Sequence, residues 1–493
     1  MSNKQVSAYR TFGSLSDPDV KSLATELAAI VGADRVLAGN EARRKHPGDQ
    51  SWLTVIHAHY GKPLHRPDVV VAPTTTQQVS AVMALAWRRK VPVTPVGGAS
   101  GVQGASNANC GGIVINLLGM DRVRELDLAS LTCTVEPGMI VKTFEEHLNE
   151  KGLSFTHYPA SAEWASVGGS VAARGSGVLS TKYGNIQGHV LSAEVVLPDG
   201  SVVELPSVPQ HGVGPELTQL FIGSEGTLGI ITAVRVKLRH VPVKRRFSVF
   251  RFEDLAQGIE AGRRIMTSGL RPPVMRLYDK DAATKSLERT VKAGLDGETM
   301  VLMVDGDHER MVDLEGMLCD EICLAQGARA LSSSIGQTWW DKRYDFYHPP
   351  HAPQLPQIWC TMDAVSDFAH IEGLYTNVTR ALRESLDPKW GLALKTHLSH
   401  WCDWGAMIYP RVIIPKGPDD LDGALELHDT FVRAAALAAV QAGGIMNDHH
   451  GVGMRLAPHL ESQFGSAGMA LLCGVKRGID PDNILCPGKM GML

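Results

Sequence analysis

Three runs of small residues, each abutting a strand-like segment, constrain this chain more than any other feature. The first is Pro95-Val96-Gly97-Gly98-Ala99-Ser100-Gly101-Val102-Gln103-Gly104. Four glycines in eight residues let a backbone approach a ligand closely and aim successive N–H groups at one anion. A pyrophosphate is the usual occupant of such a nest, although a tight turn between strands reads the same from this loop alone. The second run, from Ala165 to Gly177, holds Ser166, Gly168, Gly169, Ala172, Arg174, Gly175 and Gly177, and leads into Tyr183-Gly184-Asn185. The third is Gly223-Ser224-Glu225-Gly226-Thr227-Leu228-Gly229-Ile230-Ile231. Three such loops in one lobe suit a long, flat, doubly phosphorylated cofactor. The first loop is not the GxGxxG of a dinucleotide-binding crossover, and no GxxxxGK[ST] phosphate loop occurs.

Between these loops, short strands and helices alternate. DVVVAP reads as a buried strand and TTQQVSAVMALAWRRK as an amphipathic helix, with Thr75 and Gln78 as a capping box. SLTCTVEPG is a strand, IVKTFEEHLNEKG a helix that Gly152 could cap, and SAEVVLPDGSVVEL a hairpin about Asp199-Gly200. Near residue 242 the texture changes to longer amphipathic stretches such as DLAQGIEAGRRIM and DLEGMLCDEICLA. The expected division is 1–242, a cap over 243–454, and a closing segment over 455–493. An α+β fold class follows.

Bulk properties remove several function classes. With 44% hydrophobic and 20% charged residues the composition is that of a soluble globular protein, and 493 residues suit two lobes. A net charge of -4 gives no basic face for nucleic acid. There is no apolar stretch long enough to span a membrane and no secretory leader, so a cytoplasmic location is expected. None of the eight cysteines forms a CxxC pair, and Cys319 and Cys323 sit at helical spacing in an apolar stretch, as core residues do.

The ordered combination GGASG, Pro159-Ala160-Ser161, SVGGSVAARGSG, KYGN, VVLPDG and GSEGTLGIIT resembles the FAD-binding domain of the vanillyl-alcohol oxidase/PCMH flavoprotein superfamily over about residues 66–242. The resemblance implies a PCMH-type FAD lobe joined to an α+β substrate cap built on an antiparallel sheet. It also implies that Pro95 and Gly97 to Val102 cradle the pyrophosphate. By the same resemblance the loops holding Pro159, Ala160, Ser161 and residues to 177, Tyr183, Asn185, and Glu225, Gly226, Gly229, Ile230 and Ile231 line the rest of FAD. Ala99 stands where some members carry a tethering histidine, so FAD is expected to be non-covalent.

In the cap, Thr361 to Ala364, His397-Leu398-Ser399-His400, Gly405 to Tyr409 and His449-His450-Gly451-Val452-Gly453 resemble the alkyldihydroxyacetonephosphate synthase branch. His449, His450 and His400 offer proton exchange near neutral pH, Tyr409 a phenol, and Arg411 a fixed cation. One expectation is oxidation of a substrate hydroxyl, with His450 or Tyr409 as base and hydride passing to flavin N5. The substrate would be an aromatic or bulky alcohol, or a hydroxy acid, and oxygen or a protein would reoxidise the flavin. The alternative is a synthase that exchanges an acyl group for a fatty alcohol through a flavin adduct, with Lys395, Arg411 and Arg455 as candidate phosphate cations. His397 and His400 occupy a stretch where animal synthases carry an arginine, which weighs against it. A metal site of the related D-2-hydroxyacid dehydrogenases would need a histidine where Met407 stands and a glutamate where His449 stands, so no metal is expected. Resemblance also implies a homodimer.

Overall fold

The computed structural model describes residues 15–208, 211–344 and 354–492. Its first sheet has four strands in the order Val36–Ala38, Val69–Val71, Ile113–Asn116, Val93–Val96. The last three run parallel, and parallel neighbours need a long crossover. The helix Thr76–Arg89 supplies one. Val69, Val70 and Val71 are all buried, as expected of a strand covered on both sides. The strand Val93–Val96 also receives the returning chain end, since Val93 N donates to Ile484 O and Cys486 N to Val93 O.

One capping detail departs from the sequence expectation. Thr75 Oγ1 accepts from Gln78 N at 3.2 Å, but Gln78 Oε1 accepts from Thr74 N rather than Thr75 N. The reciprocal bond is displaced by one residue because Thr74 already turns its N–H toward the helix.

A second, five-stranded antiparallel sheet runs Val123–Asp127, Thr132–Val135, Ile230–Lys237, Val190–Val196, Val202–Glu204. Its outer pair is the hairpin about Asp199-Gly200. The three small-residue loops lie against these two sheets.

The third sheet has eight strands and positions the chemistry. Its path is Arg329–Leu331, Lys244–Phe252, Glu298–Gly306, Val274–Tyr278, Ala393–Ser399, Gly405–Ile414, Ile358–Thr361, with Ala364–Asp367 pairing Gly405–Ile414 off that path. All of its pairings are antiparallel. Period-two alternation splits its faces. Met275, Leu277, Leu302, Leu398, Ile408 and Val412 pack in one core with helices Leu255–Thr267, Glu309–Ala325, Ile371–Glu384 and Leu421–Gln441. Val274, Tyr278, Val301 and Met303 face the other way and pack with Tyr158 and Leu179. That second face is turned toward the small-residue loops.

Candidate active site

Strand register builds the site. Lys395 lies opposite Arg411, His397 opposite Tyr409 and Ser399 opposite Met407, while Tyr278 flanks His397 on its other side. Opposed residues share a face and alternate residues return to it. Arg276, Tyr278, Lys395, His397, Tyr409 and Arg411 therefore all stand on the face turned toward Tyr158 and Leu179. The rings form a row: Tyr278 and His397 tilted at 5.7 Å, then His397 and Tyr409 stacked at 4.8 Å and Tyr409 and His449 stacked at 5.9 Å between centroids.

The loop after helix Leu421–Gln441 brings in Asp448, His449 and His450, and Asp363 comes from the end of the neighbouring strand. His450 Nδ1 and Asp363 Oδ1 are 2.6 Å apart, and Asp363 Oδ2 accepts the N–H groups of Asp448 and His449 at 2.8 and 2.9 Å. Asp448 Oδ2 meets His400 Nδ1 at 2.7 Å and His449 Nδ1 at 2.9 Å. Tyr409 Oη lies 3.4 Å from His450 Nε2. His400 sits just past its strand with φ of 49°, a left-handed conformation that costs a non-glycine residue on the order of 1 kcal/mol.

Charges in this cluster sort themselves by partner. Burial opposes ionisation of Asp363, yet His450 and His449 hold it well below the usual carboxylate range. Asp448 is likewise lowered, burial being outweighed by His400 and His449. Burial pushes His449 down, but Asp363 and Asp448 together raise it above an ordinary imidazole. For His450 and His400 burial wins over the carboxylates, and both are lowered. The two carboxylates thus favour the protonated form at His449, while burial favours the neutral form at His450 and His400.

Asp363–His449–His450 and His400–Asp448–His449 each bring three possible ligand atoms within 4.8 Å of one another. In both groups the imidazole Nδ1 atoms already face carboxylate oxygens. Met407 is fully buried between Ser399 and Val365 and offers no imidazole.

The small-residue loops close on one another. A side-chain carbon at Gly97 would lie 2.1 Å from Ser166 Oγ, and one at Gly98 only 1.7 Å from the Trp164 carbonyl. Both glycines are therefore required where the first loop presses on the second. Gly168 meets Pro137, Gly177 meets Tyr158, and Gly226 meets Pro95 in the same close manner. Ser166 caps the short helix Val167–Ala172, accepting from Gly169 N. Ala99, Arg174 and Glu225 have positive φ, the strain that gathers at ligand loops. Gly101 O accepts from Gln50 N, which ties the first loop to the N-terminal segment.

Several expected cofactor residues also make contacts within the protein. Tyr183 donates its hydroxyl to Asp305 Oδ1 at 2.6 Å, across to the eight-stranded sheet. Glu225 accepts from Val452 N and Gly453 N, clamping the turn that follows His450. Gly229 packs against Val195 and Phe221, and Ile230 and Ile231 are buried. Pro159, Ala160 and Ser161 form a turn in which Ala162 N donates to Pro159 O and Ala165 N to Ser161 O. Tyr158 carries that turn against Gly177. Asn185 precedes the short helix Ile186–His189. Arg411 stands one register pair away from the imidazole cluster and makes no ion pair with it. Arg455 is buried against Cys360 Sγ and Thr361 O, at 2.6 and 2.7 Å, and is not beside Lys395.

Three functional candidates escaped the sequence reading. Asp363 and Asp448 act through partners, and Asp363 meets His450 from 87 residues away. Lys489 is 0% exposed and its Nζ has no hydrogen-bond partner among the described residues. It lies close enough to Asp49, Glu225 and Cys486 to bias their ionisation. An unpaired buried ammonium is costly, and an anionic group such as a cofactor pyrophosphate is the chemistry that would satisfy it. Lys489, the open backbone at Gly101 and the strained loops fit a phosphorylated dinucleotide. The signal for Lys489 was its place in CPGKMG, in the segment returning to the first sheet.

Comparison with known proteins decides the family. Residues 67–206 match the FAD binding domain, and residues 241–490, half of the chain, match the C-terminal domain of FAD linked oxidases. The chain is an FAD linked oxidase family member. It is 28% identical over 482 residues to the uncharacterized FAD-linked oxidoreductase YgcU of Escherichia coli (strain K12), covering 95% of this chain and 97% of that one. It is 27% identical over 511 residues to alkyldihydroxyacetonephosphate synthase of Trypanosoma brucei brucei, covering 97% and 82%. A solved alkyldihydroxyacetonephosphate synthase superposes with a TM-score of 0.77 at 23% identity, over 97% of this chain and 88% of that one. That superposition carries the fold. The protein is an FAD-dependent oxidoreductase with a PCMH-type flavin lobe. Among the described residues, no helix is long and apolar enough to cross a membrane.

Proposed function

We propose that this FAD-linked oxidoreductase removes a hydride from a hydroxyl-bearing carbon, and the proton from its hydroxyl, of an organic substrate held on the Tyr409 face. Bound FAD supplies the two-electron acceptor. The observation that carries the reading is the His450–Asp363 pair. With Nδ1 committed to Asp363 at 2.6 Å, the lone pair of His450 lies on Nε2, 3.4 Å from the Tyr409 hydroxyl. His450 then takes the substrate hydroxyl proton, directly or through Tyr409, and Asp363 stabilises the imidazolium that results. His449, whose protonated form Asp363 and Asp448 favour, offsets negative charge on the substrate oxygen, and His400 orients Asp448. Arg411 stands beyond, as a binding cation.

Acyl-for-alkoxide exchange is the second reading, and likeness to the synthase supports it. Against it, His397 is buried and held far below an ordinary imidazole by burial and by Arg276, so this position supplies no fixed cation. We further propose a metal-free site, non-covalent FAD, oxygen or a protein as electron acceptor, a cytoplasmic location and a homodimer. The test is an anaerobic titration of the yellow enzyme with alcohols, 2-hydroxy acids and an acyl ketone phosphate. Bleaching by a hydroxylated compound supports oxidation. Bleaching by the acyl ketone phosphate alone, with release of its acid, supports exchange.

A further inference from the structure

The strand Lys244–Phe252 has nine residues, but its outer neighbour Arg329–Leu331 pairs only with Val249 to Arg251. Lys244 to Ser248 therefore form an open sheet edge, and their outward N–H and C=O groups find no backbone partner among the described residues. Natural edges are shielded by bulges, prolines or repelling charge. This one keeps little of that protection. It pairs with Glu298–Gly306 throughout without a bulge, contains no proline, and has Lys244 and Arg246 neutralised by Asp313 and Asp320. A groove of about 680 Å³ follows the edge, lined by Arg245 to Phe250, by Asp320 on one bank and by Ser334 and Gln337 on the other.

The surroundings say what would fit there. Arg245 and Arg343 lie over the ring of Trp340, at 5.2 and 4.0 Å from its centroid, and neither has an ion pair among the described residues. Below the edge runs the helix Glu309–Ala325. Its acids Asp313, Glu315 and Asp320 turn inward to Lys244, the Arg271 N–H and Arg246, while Met311, Leu314, Met317 and Leu324 are exposed. Met317 and Leu324 stand one turn either side of Asp320, along the bank of the groove. A helix with its charges inward and its apolar residues outward has the pattern of a contact surface.

We infer that this edge takes an extended acidic segment of a partner protein, which adds a strand beside Lys244 to Ser248 and sets carboxylates against Arg245 and Arg343. Main-chain hydrogen bonds supply the affinity, and the guanidinium groups select the sign of charge. A second copy of this chain is the poorer occupant. Two such edges, each carrying Lys244, Arg245 and Arg246, would bring cations to cations and no anion to Arg245.

The FAD-loaded full chain is titrated with a fluorescein-labelled decapeptide that alternates valine and threonine with glutamate, following anisotropy. The comparisons are the same peptide with lysine for glutamate, and the glutamate peptide N-methylated at every other amide in either phase. The unmodified glutamate peptide should bind at least about tenfold more tightly than the lysine peptide and than the weaker of the two methylated forms. Arg245→Gln should cut the preference for glutamate about fivefold or more. Ser334→Trp should fill the groove and weaken binding about tenfold, and both variants should keep native flavin content and flavin reduction rate. No binding of the glutamate peptide, equal binding of the lysine peptide or of both methylated peptides, or an affinity unchanged in Ser334→Trp overturns the proposal. Sedimentation of the enzyme alone checks the other occupant. A dimer that Ser334→Trp dissociates and the glutamate peptide fails to displace would give the edge to a second copy and overturn the acidic partner.

Discussion

His450 Nδ1 stands 2.6 Å from Oδ1 of Asp363, a carboxylate 1% exposed whose other oxygen accepts the His449 N–H at 2.9 Å. One buried group thereby sets the tautomer of one imidazole and the charge of the next. It does so without reaching the substrate, as a positioning residue.

Asp363→Asn keeps an acceptor for the backbone but loses the charge that holds both imidazoles. Flavin reduction should slow by about 10²- to 10³-fold. Its pH profile should shift as well, because only Asp448 then remains to stabilise the proton on His449. Stopped-flow reduction across pH, with flavin content as the folding control, checks this. A slower rate with an unmoved profile would assign Asp363 a merely structural role.

Lys489 makes a paired prediction. If its buried ammonium awaits the cofactor, Lys489→Met should weaken FAD binding about tenfold or more while raising the melting temperature of the apoprotein, since an uncompensated buried charge has gone. Fluorescence titration of apoprotein with FAD and thermal melts measure the two effects. A fall in both would mean that Lys489 is instead paired internally with Asp49 or Glu225.

Glu225 predicts a pH dependence. Burial outweighs its two backbone donors and pushes its carboxyl from 4.5 up to about 7. The native state therefore holds a proton that the unfolded chain has lost across that window. Its stabilising contribution is complete below 4.5 and fades as pH rises through about 7, by on the order of 3 kcal/mol. Denaturant unfolding should show that downward slope, and Glu225→Gln should flatten it. An identical slope in the variant would remove Glu225 from the account.

Chelation tests the metal-free site. Each Nδ1 in the two carboxylate–histidine groups faces an oxygen at 2.6 to 2.9 Å, as ion pairs do. Dialysis against a strong chelator should leave the reduction rate within about twofold. Loss of activity restored by zinc or manganese would contradict it.

The flavin lobe was legible because its information is local. Glycines at 98 and 177 are needed where one backbone presses on another, and those at 97 and 168 where Ser166 and Pro137 crowd in, and that need is written at each position. Hairpin and helix signals at Asp199-Gly200 and Thr75 are equally local, although the Thr74–Gln78 bond shows that a cap's partner can slip by one residue. His400, Tyr409, His449 and His450 were legible as residue types able to exchange protons. What the chain could not disclose were relations made by folding. Asp363 looks like any strand-end carboxylate until the 449–450 turn arrives, and Lys395 and Arg411 look like two surface cations until register opposes them. Tyr183 and Glu225, expected at the cofactor, also join the flavin lobe to the eight-stranded sheet and the 450s turn, a relation only the fold makes visible.

The most direct test is the anaerobic rate of flavin bleaching by a hydroxylated substrate, compared with the same compound deuterated at the carbon bearing the hydroxyl. The account predicts bleaching by the protiated compound and a severalfold slower rate with deuterium, because that C–H bond breaks as the flavin is reduced. Equal rates, or no bleaching by any hydroxylated compound, would contradict it.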